Sequence, residues 1–297
     1  MTRIDPDRIS ELTDRLEQEL SDRTPRSKEV YQRAKQVMPA GVPSSFQDQP
    51  PHPIYVTGGS GSKVFDVDGN EYIDFHNGFG VMVVGHAHPA EAAAITRVAG
   101  LGTHFAAPNE TSVRVAEELS RRFRLPKVRF CNSGTEATMD AIHLARGFTG
   151  KDCIVKIEGT YHGHHDAVMV SVKPPADKLG PVDSPASNPF SKGIPLAETN
   201  LTLVIPFNDA DALERLLSAR DDIAGVIVEP IMLNIGVVMP KPGYLDALRE
   251  ITTRHGVVLI FDEVKTGITI APGGAVEYFG VVPDIVCLAK AIGGGVP

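Results

Sequence analysis

Beyond residue 126, short continuous apolar runs alternate with stretches of helical periodicity. The runs include "CIVKI", "LTLVIPF", "IAGVIVEP", "VVLIFDE" and "DIVCLAK", and helix-like stretches lie between them at about 135–148, 211–219 and 244–255. Runs rich in Val, Ile and Leu without polar alternation are typical of strands buried on both faces of a parallel sheet. The sequence therefore predicts an α/β fold, with a mostly parallel sheet flanked by helices.

The first part of the chain has a different pattern. Apolar residues recur every three or four positions between residues 9 and 20, which predicts an amphipathic helix, and Ser27 is a candidate cap for a second one. The segment "KVFDVDGNEYIDF", residues 63–75, predicts a hairpin. We divide the chain into an N-terminal helical segment, residues 1–60, and a large domain, residues 61–297.

Composition narrows the possible partners and location. The 297 residues carry a formal net charge of -8, and Lys and Arg do not cluster, so nucleic-acid binding is not expected. No apolar run reaches the length of a membrane span, and a cytoplasmic protein without membrane contact is expected. Cys131, Cys153 and Cys287 stand in apolar runs and are interpreted as buried, reduced thiols.

Chemically selective residues follow the predicted strands. Ser133, Gly134 and Thr135 come after "VRFC", where a helix is predicted to begin. Free backbone N–H groups and hydroxyls at a helix start can hold a phosphate. An ordinary capping box is the alternative, because Ser133 and Glu136 have the spacing that it requires. Both interpretations remain open from the sequence.

Four further strand ends carry an aromatic residue, a carboxylate or a lysine: Tyr161, Glu229, Asp262 and Lys290. Ligands of parallel α/β sheets collect at the carboxyl ends of the strands. Pyridoxal phosphate needs its phosphate held, its ring stacked, its ring nitrogen kept protonated by a carboxylate, and its aldehyde bound to a lysine as an imine. The set therefore indicates a pyridoxal 5'-phosphate site.

From Val56 onward, the chain resembles the class III, fold type I pyridoxal phosphate enzymes, and most closely their glutamate-1-semialdehyde 2,1-aminomutase branch. The resemblance is carried by "DVDGNEYIDF", "VVGHAHP", "NSGTEATMDAIHLARGFTGKD", "YHGHHD", "VEP", "FDEVKTG" and "GVVPDIVCLAKAIGGGVP". It implies a fold type I large domain, a homodimer, and transfer of an amino group between small amino and oxo compounds.

The same resemblance implies a role for each site residue. Lys290 and Asp262 would be catalytic, the first binding the cofactor aldehyde and moving a proton, the second holding the protonated ring nitrogen. The remaining cofactor contacts would be made by Ser133, Gly134 and Thr135 at the phosphate, Tyr161 and Val264 on the two ring faces, and Glu229 and Asn234 beside the ring.

The sequence departs from that family pattern at the substrate side. Gln47 stands where an arginine resembling a carboxylate clamp is expected, and a neutral amide cannot make the bidentate ionic contact. Gly78 and Phe79 replace a Ser and Trp pattern, and Thr269 stands where relatives often have arginine. A transaminase of another amine or of a β-amino acid, with a 2-oxo acid acceptor, is therefore the alternative function.

Length is the second departure. The family continues for well over a hundred residues beyond the lysine, through a returning strand and a small C-terminal domain, whereas this sequence stops at Pro297. We interpret the sequence as a fragment or truncated reading frame, and expect uncovered apolar sheet surface and poor solubility or dependence on a partner. A catalytically incompetent relative is therefore a further alternative.

A metal hydrolase is a rival of a different class. His162, His164, His165 and Asp166 are close in sequence and could act with Asp262. Neighbouring residues point in different directions, and no standard zinc spacing is present. We therefore interpret the histidines as solvated or core residues and expect no metal.

Overall fold

The computed structural model describes residues 5–296. Two compact units are present: residues 5–77 with 84–103, and residues 78–83 with 104–296. The division into residues 1–60 and 61–297 stays a prediction. Within the described residues, no helix combines the length and the apolar character that crossing a membrane requires.

Two helices open the first unit, as the apolar periodicity predicts. They are α1 (Pro6–Arg23) and α2 (Pro25–Ala34). The prediction that Ser27 caps α2 is wrong, because Pro25 starts the helix and proline's fixed φ suits the first helical position. Ser27 instead accepts a hydrogen bond on Oγ from the backbone N–H of Tyr55, at 3.2 Å.

An antiparallel sheet of three strands follows in the same unit, with strand order β1-β2-β3. The last two strands form the predicted hairpin. Asp66 organises the turn between them, because its Oδ1 accepts from the backbone N–H groups of Asp68 at 3.0 Å and Asn70 at 2.8 Å. The strands are β1 (Val56–Ser60), β2 (Lys63–Asp66) and β3 (Glu71–Ile73), and α4 (Pro89–Ala99) lies in the same unit. The short turn α3 (Asn77–Gly80) lies at the boundary of the two units and has left-handed φ angles at Gly78 and Phe79.

The second unit contains a parallel sheet of five strands in the order β5-β4-β6-β7-β8. Every residue of β4, β6 and β7 is buried. This confirms the predicted α/β class with a mostly parallel sheet. The strands are β4 (Cys153–Ile157), β5 (Thr202–Ile205), β6 (Ile223–Val228), β7 (Val258–Asp262) and β8 (Ile285–Cys287).

Helices cover both faces of this sheet. They are α5 (Glu110–Phe123), α6 (Gly134–Thr149), α7 (Leu196–Asn200), α8 (Ala210–Ala219), α9 (Tyr244–His255) and α10 (Gly274–Phe279). Single turns of 3₁₀ helix occur in the two units at Pro39–Gly41, Ser45–Gln47, Ala176–Lys178 and Lys290–Gly293.

Alternate residues of the strands belong to different cores. Val226 and Val228 join one apolar cluster with side chains of α8 and α9. Ile227 and Ile260 join a second cluster with side chains of α6, including Ile142. Because side chains alternate between the two faces of a strand, the next residues in the α6-facing series are Glu229 and Asp262. The strand period therefore directs these two carboxylates toward the face on which α6 lies.

Two expectations about residues 128–131 are wrong. "VRFC" is not a strand, although its composition predicts one, because none of the described strands forms a ladder with it. Phe130 is accordingly 51% exposed. Cys131 is exposed for the same reason, whereas Cys153 and Cys287 are buried as expected, and all three thiols are free.

The segment 173–198 is mostly irregular, as its composition predicts. It contains the turn Ala176–Lys178 and the start of α7, and Pro189 bridges to Val170. Whether it acts as a mobile lid or as a plain surface loop stays open.

Candidate active site

The parallel strands bring three of the predicted site residues to one edge of the sheet. Glu229 follows β6 directly, Asp262 is the last residue of β7, and Lys290 lies three residues beyond β8. These strands are adjacent and parallel, so their carboxyl ends meet at the same edge. The three residues thus lie at one edge of the sheet, and their roles there stay predictions.

Asp262 is buried and held from two sides. Its Oδ1 accepts from the backbone N–H of Val264 at 3.0 Å, and its Oδ2 lies 2.7 Å from His162 Nδ1. A carboxylate can only accept, so the imidazole proton lies on Nδ1. Nε2 of the same buried ring has no hydrogen-bond partner within the described structure. His162 therefore fixes the carboxylate in a dry environment, a role that sequence reasoning missed.

Lys290 begins a 3₁₀ turn and has a φ of 54°, in the left-handed region that side chains rarely adopt. Burial lowers the pKa of its ammonium group, and Lys265 lowers it further, whereas Asp262 and Glu229 oppose the change. A lowered pKa increases the share of neutral amine, which is the form that attacks a carbonyl. The residue thus has the character that a nucleophilic lysine needs.

The start of α6 packs against the two segments that carry these groups. A methyl group added to Gly134 would lie 2.9 Å from Val264 Cγ2 and 3.3 Å from Ala289 Cβ. Only glycine therefore allows this approach without a shift of its neighbours. Because Ala289 precedes Lys290, the helix start lies beside the lysine turn.

Ser133 caps this helix start, but the reciprocal capping box is not formed, because Glu136 does not accept from the Ser133 N–H. Ser133 Oγ accepts from the backbone N–H of Glu136 at 3.2 Å, and Glu136 Oε2 accepts from the backbone N–H of Asn132 at 2.5 Å. The first N–H groups of a helix, here those of Gly134 and Thr135, have no intrahelical acceptor. The cap leaves the Ser133 hydroxyl able to donate its proton, so it is compatible with anion binding at this helix start, which stays a prediction.

Tyr161, Glu229 and Asn234 form a second group. Asn234 Nδ2 lies 3.2 Å and 3.3 Å from the two carboxylate oxygens of Glu229, and 3.5 Å from the carbonyl oxygen of Tyr161. Burial raises the pKa of Glu229, as does Asp262, whereas His162 lowers it. Burial also raises the pKa of Tyr161. The structure thus connects the loop of Tyr161 to the end of β6 through an amide.

The neighbouring histidines each have a different contact. His164 Nδ1 lies 3.1 Å from Thr135 Oγ1, and His165 Nε2 lies 3.2 Å from Thr138 Oγ1. Burial, with nearby cationic groups, lowers the pKa of His165 to about 4. Across residues 5–296, no three His, Cys, Asp or Glu side chains are grouped so as to hold a metal ion.

The substrate-side departures have local structural contacts. Gln47 Oε1 accepts from the backbone N–H of Ser44 at 3.2 Å, within a 3₁₀ turn. Thr269 Oγ1 donates to the carbonyl oxygen of Lys265 at 2.6 Å. Neither position supplies a cation for a substrate carboxylate.

Pyridoxal phosphate fits the residues present. A helix start that a Cβ atom would fill, a buried carboxylate with a histidine partner, and a lysine with a lowered pKa meet its three chemical requirements. A parallel sheet with this constellation at its carboxyl edge defines the fold type I pyridoxal phosphate enzymes. Within that class, the chain belongs to the class-III aminotransferases, whose family model matches residues 45–297.

Similar proteins carry two kinds of name. "Glutamate-1-semialdehyde 2,1-aminomutase 2" of Brevibacillus brevis is 45% identical over 277 residues, which are 92% of this chain and 63% of that protein. A solved glutamate-1-semialdehyde aminomutase from Pseudomonas aeruginosa PAO1 is 35% identical, with a TM-score of 0.89 over 99% of this chain and 63% of that one.

The second kind of similar protein is named a transaminase. A solved omega-transaminase from Sphaerobacter thermophilus is 38% identical, with a TM-score of 0.87 over 91% of this chain and 62% of that one. The chain thus spans about 63% of the length of the curated relatives that it matches.

Proposed function

We propose that this chain carries the cofactor-binding part of a pyridoxal-phosphate-dependent aminotransferase or 2,1-aminomutase that acts on a small amino or oxo compound. The observation that carries the proposal is the approach of Gly134 to Val264 and Ala289, because it brings the helix start that would bind the phosphate beside Asp262 and Lys290. The residue roles implied by the sequence belong to this proposal.

Bound pyridoxal phosphate withdraws electrons from the substrate carbon next to the nitrogen, which makes a proton there removable. Lys290, with its lowered pKa, would take that proton and return it. Asp262 would keep a proton on the ring nitrogen, since His162 and the Val264 N–H hold its carboxylate in place. The N–H groups of Gly134 and Thr135 would bind the phosphate.

Two reactions fit this arrangement. The curated relatives favour the aminomutase that acts on glutamate 1-semialdehyde. The neutral side chains at Gln47 and Thr269 favour a transaminase of another amine or β-amino acid, because neither can pair with a substrate carboxylate as an arginine does. A homodimer and a cytoplasmic location are further parts of the proposal; three free thiols are consistent with a reducing compartment.

Cofactor binding is tested first. Purified protein is titrated with pyridoxal phosphate, its visible absorbance is recorded, and borohydride reduction is followed by peptide mass spectrometry. We expect the cofactor mass on the peptide that contains Lys290, and loss of that label in Lys290→Ala. Lys192→Ala, at an exposed lysine, is the matched control and should retain the label.

Turnover separates the alternatives. Production of 5-aminolevulinate from glutamate 1-semialdehyde would support the aminomutase, and consumption of a β-amino acid or another amine with a 2-oxo acid would support the transaminase. Folded protein that forms no Lys290-dependent adduct would contradict the proposal for this chain. An adduct without turnover would support the catalytically incompetent alternative.

A further inference from the structure

Lys156 is a buried cation without an assigned role. It lies in β4, an interior strand between β5 and β6, and the residue is 0% exposed. Its Nζ donates to three backbone carbonyl oxygens, those of Thr160 at 2.9 Å, Val168 at 3.0 Å and Val170 at 2.5 Å. Lysine is almost never fully buried without partners, and the partners here are three main-chain oxygens.

The number of acceptors matches the number of donors. A protonated lysine has three N–H donors and no acceptor, so one ammonium group can satisfy all three carbonyls. Buried carbonyls that lose their donor are penalised, because water cannot replace it. An apolar side chain at position 156 would therefore leave three main-chain oxygens unpaired inside the protein.

The three carbonyls belong to the two ends of one loop. We call residues 158–170 the Tyr161 loop, since it carries the ring-stacking candidate and His162. Thr160 lies at its entry, and Val168 and Val170 lie at its exit. The Lys156 ammonium thus joins both ends of the loop to the strand beneath it.

Helix α6 holds the middle of the same loop. Thr138 Oγ1 donates to the carbonyl oxygen of His162 at 2.6 Å. Gly163, with a φ of 108°, passes so close to α6 that an added Cβ would lie 2.8 Å from Thr135 Cα. The loop is therefore confined between α6 on one side and the Lys156 side chain on the other.

We propose that Lys156 is a positioning residue for the candidate active site: by closing the Tyr161 loop through three carbonyls, it sets the position of Tyr161 and of the His162 ring that holds Asp262. The effect of Lys156 on catalysis rests on the proposed function, whereas its effect on the position of the loop does not. Lys156 is 0% exposed, and this burial lowers its pKa to about 7, whereas Glu229 opposes the change.

Hydrogen exchange on the protein without added cofactor tests the loop, at about pH 6, where Lys156 is protonated and can use all three donors. Peptides covering the Tyr161 loop are compared between wild type and Lys156→Met, with peptides of α9 as the internal reference. We expect the loop amides, including those of Val168 and Met169 that donate to His165 O at 3.1 Å, to exchange about tenfold faster or more in the variant. The α9 peptides should be unchanged.

Lys173→Met is the matched control, because it makes the same substitution at an exposed lysine just beyond the loop. It should leave loop exchange unchanged. Should Lys156→Met fail to fold, Lys156→Gln decides, since its shorter side chain has two N–H donors for three acceptors. Unchanged loop exchange in the folded position-156 variant would overturn the proposal.

The His162 ring gives a signature that simple destabilisation would not change. A buried imidazole proton on a carboxylate gives a far-downfield proton resonance, which histidine-labelled protein makes visible and which loss in His162→Gln assigns. In Lys156→Met this resonance should shift or disappear at a temperature where the protein remains folded. An unchanged resonance alongside faster loop exchange would show that Lys156 supports the loop without positioning the site, and would also overturn the proposal.

Both measurements are independent of cofactor binding. If wild type binds no pyridoxal phosphate but Lys156→Met still loosens the loop and moves the His162 resonance, the proposed function fails and the positioning role stands. If the cofactor binds and neither signal changes, the positioning role fails and the proposed function stands.

Discussion

The Tyr161 loop and the turn of Lys290 both contribute to the candidate active site, but the protein holds them differently. The loop is tied by Lys156, Thr138 and the His162 contact with Asp262, all through buried atoms. Residues 288–296, by contrast, are only half-buried or exposed. The ring side of the site is therefore part of the core, whereas the nucleophile stands on a segment that is only partly buried.

The largest expected effect is a difference in stability between two variants, one with a substitution in the Tyr161 loop and one with a substitution in the lysine turn. His162→Phe keeps the ring volume but removes the donor to buried Asp262, so we expect unfolding to become easier by about 3 kcal/mol. Lys290→Met should change stability by less than about 1 kcal/mol, because it removes an amine whose burial already disfavours its charge. Urea denaturation measures both, and equal losses would contradict the comparison.

Two glycines sharpen the comparison at the level of the backbone. Gly163→Ala places a methyl group at a positive φ, 2.8 Å from Thr135, and should destabilise the protein by about 2–4 kcal/mol. Gly293→Ala meets no atom within 4 Å in the lysine turn and should change stability by less than about 0.5 kcal/mol. Thermal unfolding of the pair is the measurement; a costly Gly293→Ala would reveal packing that the turn is thought to lack.

The pH dependence of stability tests the loop's buried cation. Burial lowers the pKa of Lys156 from 10.5 to about 7 in the folded chain. Between these values the unfolded chain binds a proton that the folded chain has released, so this group makes stability rise with pH. The free energy of unfolding of wild type, relative to that of Lys156→Met, should therefore increase by up to about 1.4 kcal/mol per pH unit from about pH 7 to about pH 9.

Urea denaturation of both proteins at each pH gives the difference in their free energies of unfolding. The contributions of most other titrating groups are the same in both proteins and cancel in this difference. A difference that stays flat or falls with increasing pH would show that Lys156 keeps its charge in the folded state, and that its three carbonyls outweigh the effect of burial.

The smallest effect concerns the helix start between the two regions. Cys131 is the exposed thiol, and Cys153 and Cys287 are buried, so one thiol per chain should react with a thiol reagent before unfolding. Partial burial raises the pKa of Cys131, so its reaction should be slower than that of a cysteine in an unfolded peptide. Cys131→Ser should change stability by less than about 0.5 kcal/mol. Two or three rapidly reacting thiols would contradict this description.

The sequence predicts the strands of the sheet well where an apolar run has partner strands to pair with. Residues of β4, β6 and β7 are recognisable because their Val and Ile content matches burial on both faces. "VRFC" has the same composition but forms no ladder within the described chain, and composition alone does not reveal whether a partner strand exists. Ser27 shows a similar limit, because a proline at the first helical position took precedence over a suitable cap.

Site residues were predictable where they follow a strand. Glu229, Asp262 and Lys290 each stand at a strand end, and parallel topology brings them together. His162 and Lys156 were not assigned roles, because their partners lie far away in sequence or are main-chain carbonyls. The signal for His162 was its place directly after Tyr161. For Lys156 it was a charged residue inside an otherwise apolar strand.

The alternation of strand side chains has a consequence for insertions and deletions. Glu229 and Asp262 belong to the α6-facing series only because of the number of residues that precede them in β6 and β7. Gaining or losing one residue inside either strand would exchange its two surfaces. The positions of both carboxylates therefore depend on the number of residues in β6 and β7, and not only on which apolar residues fill them.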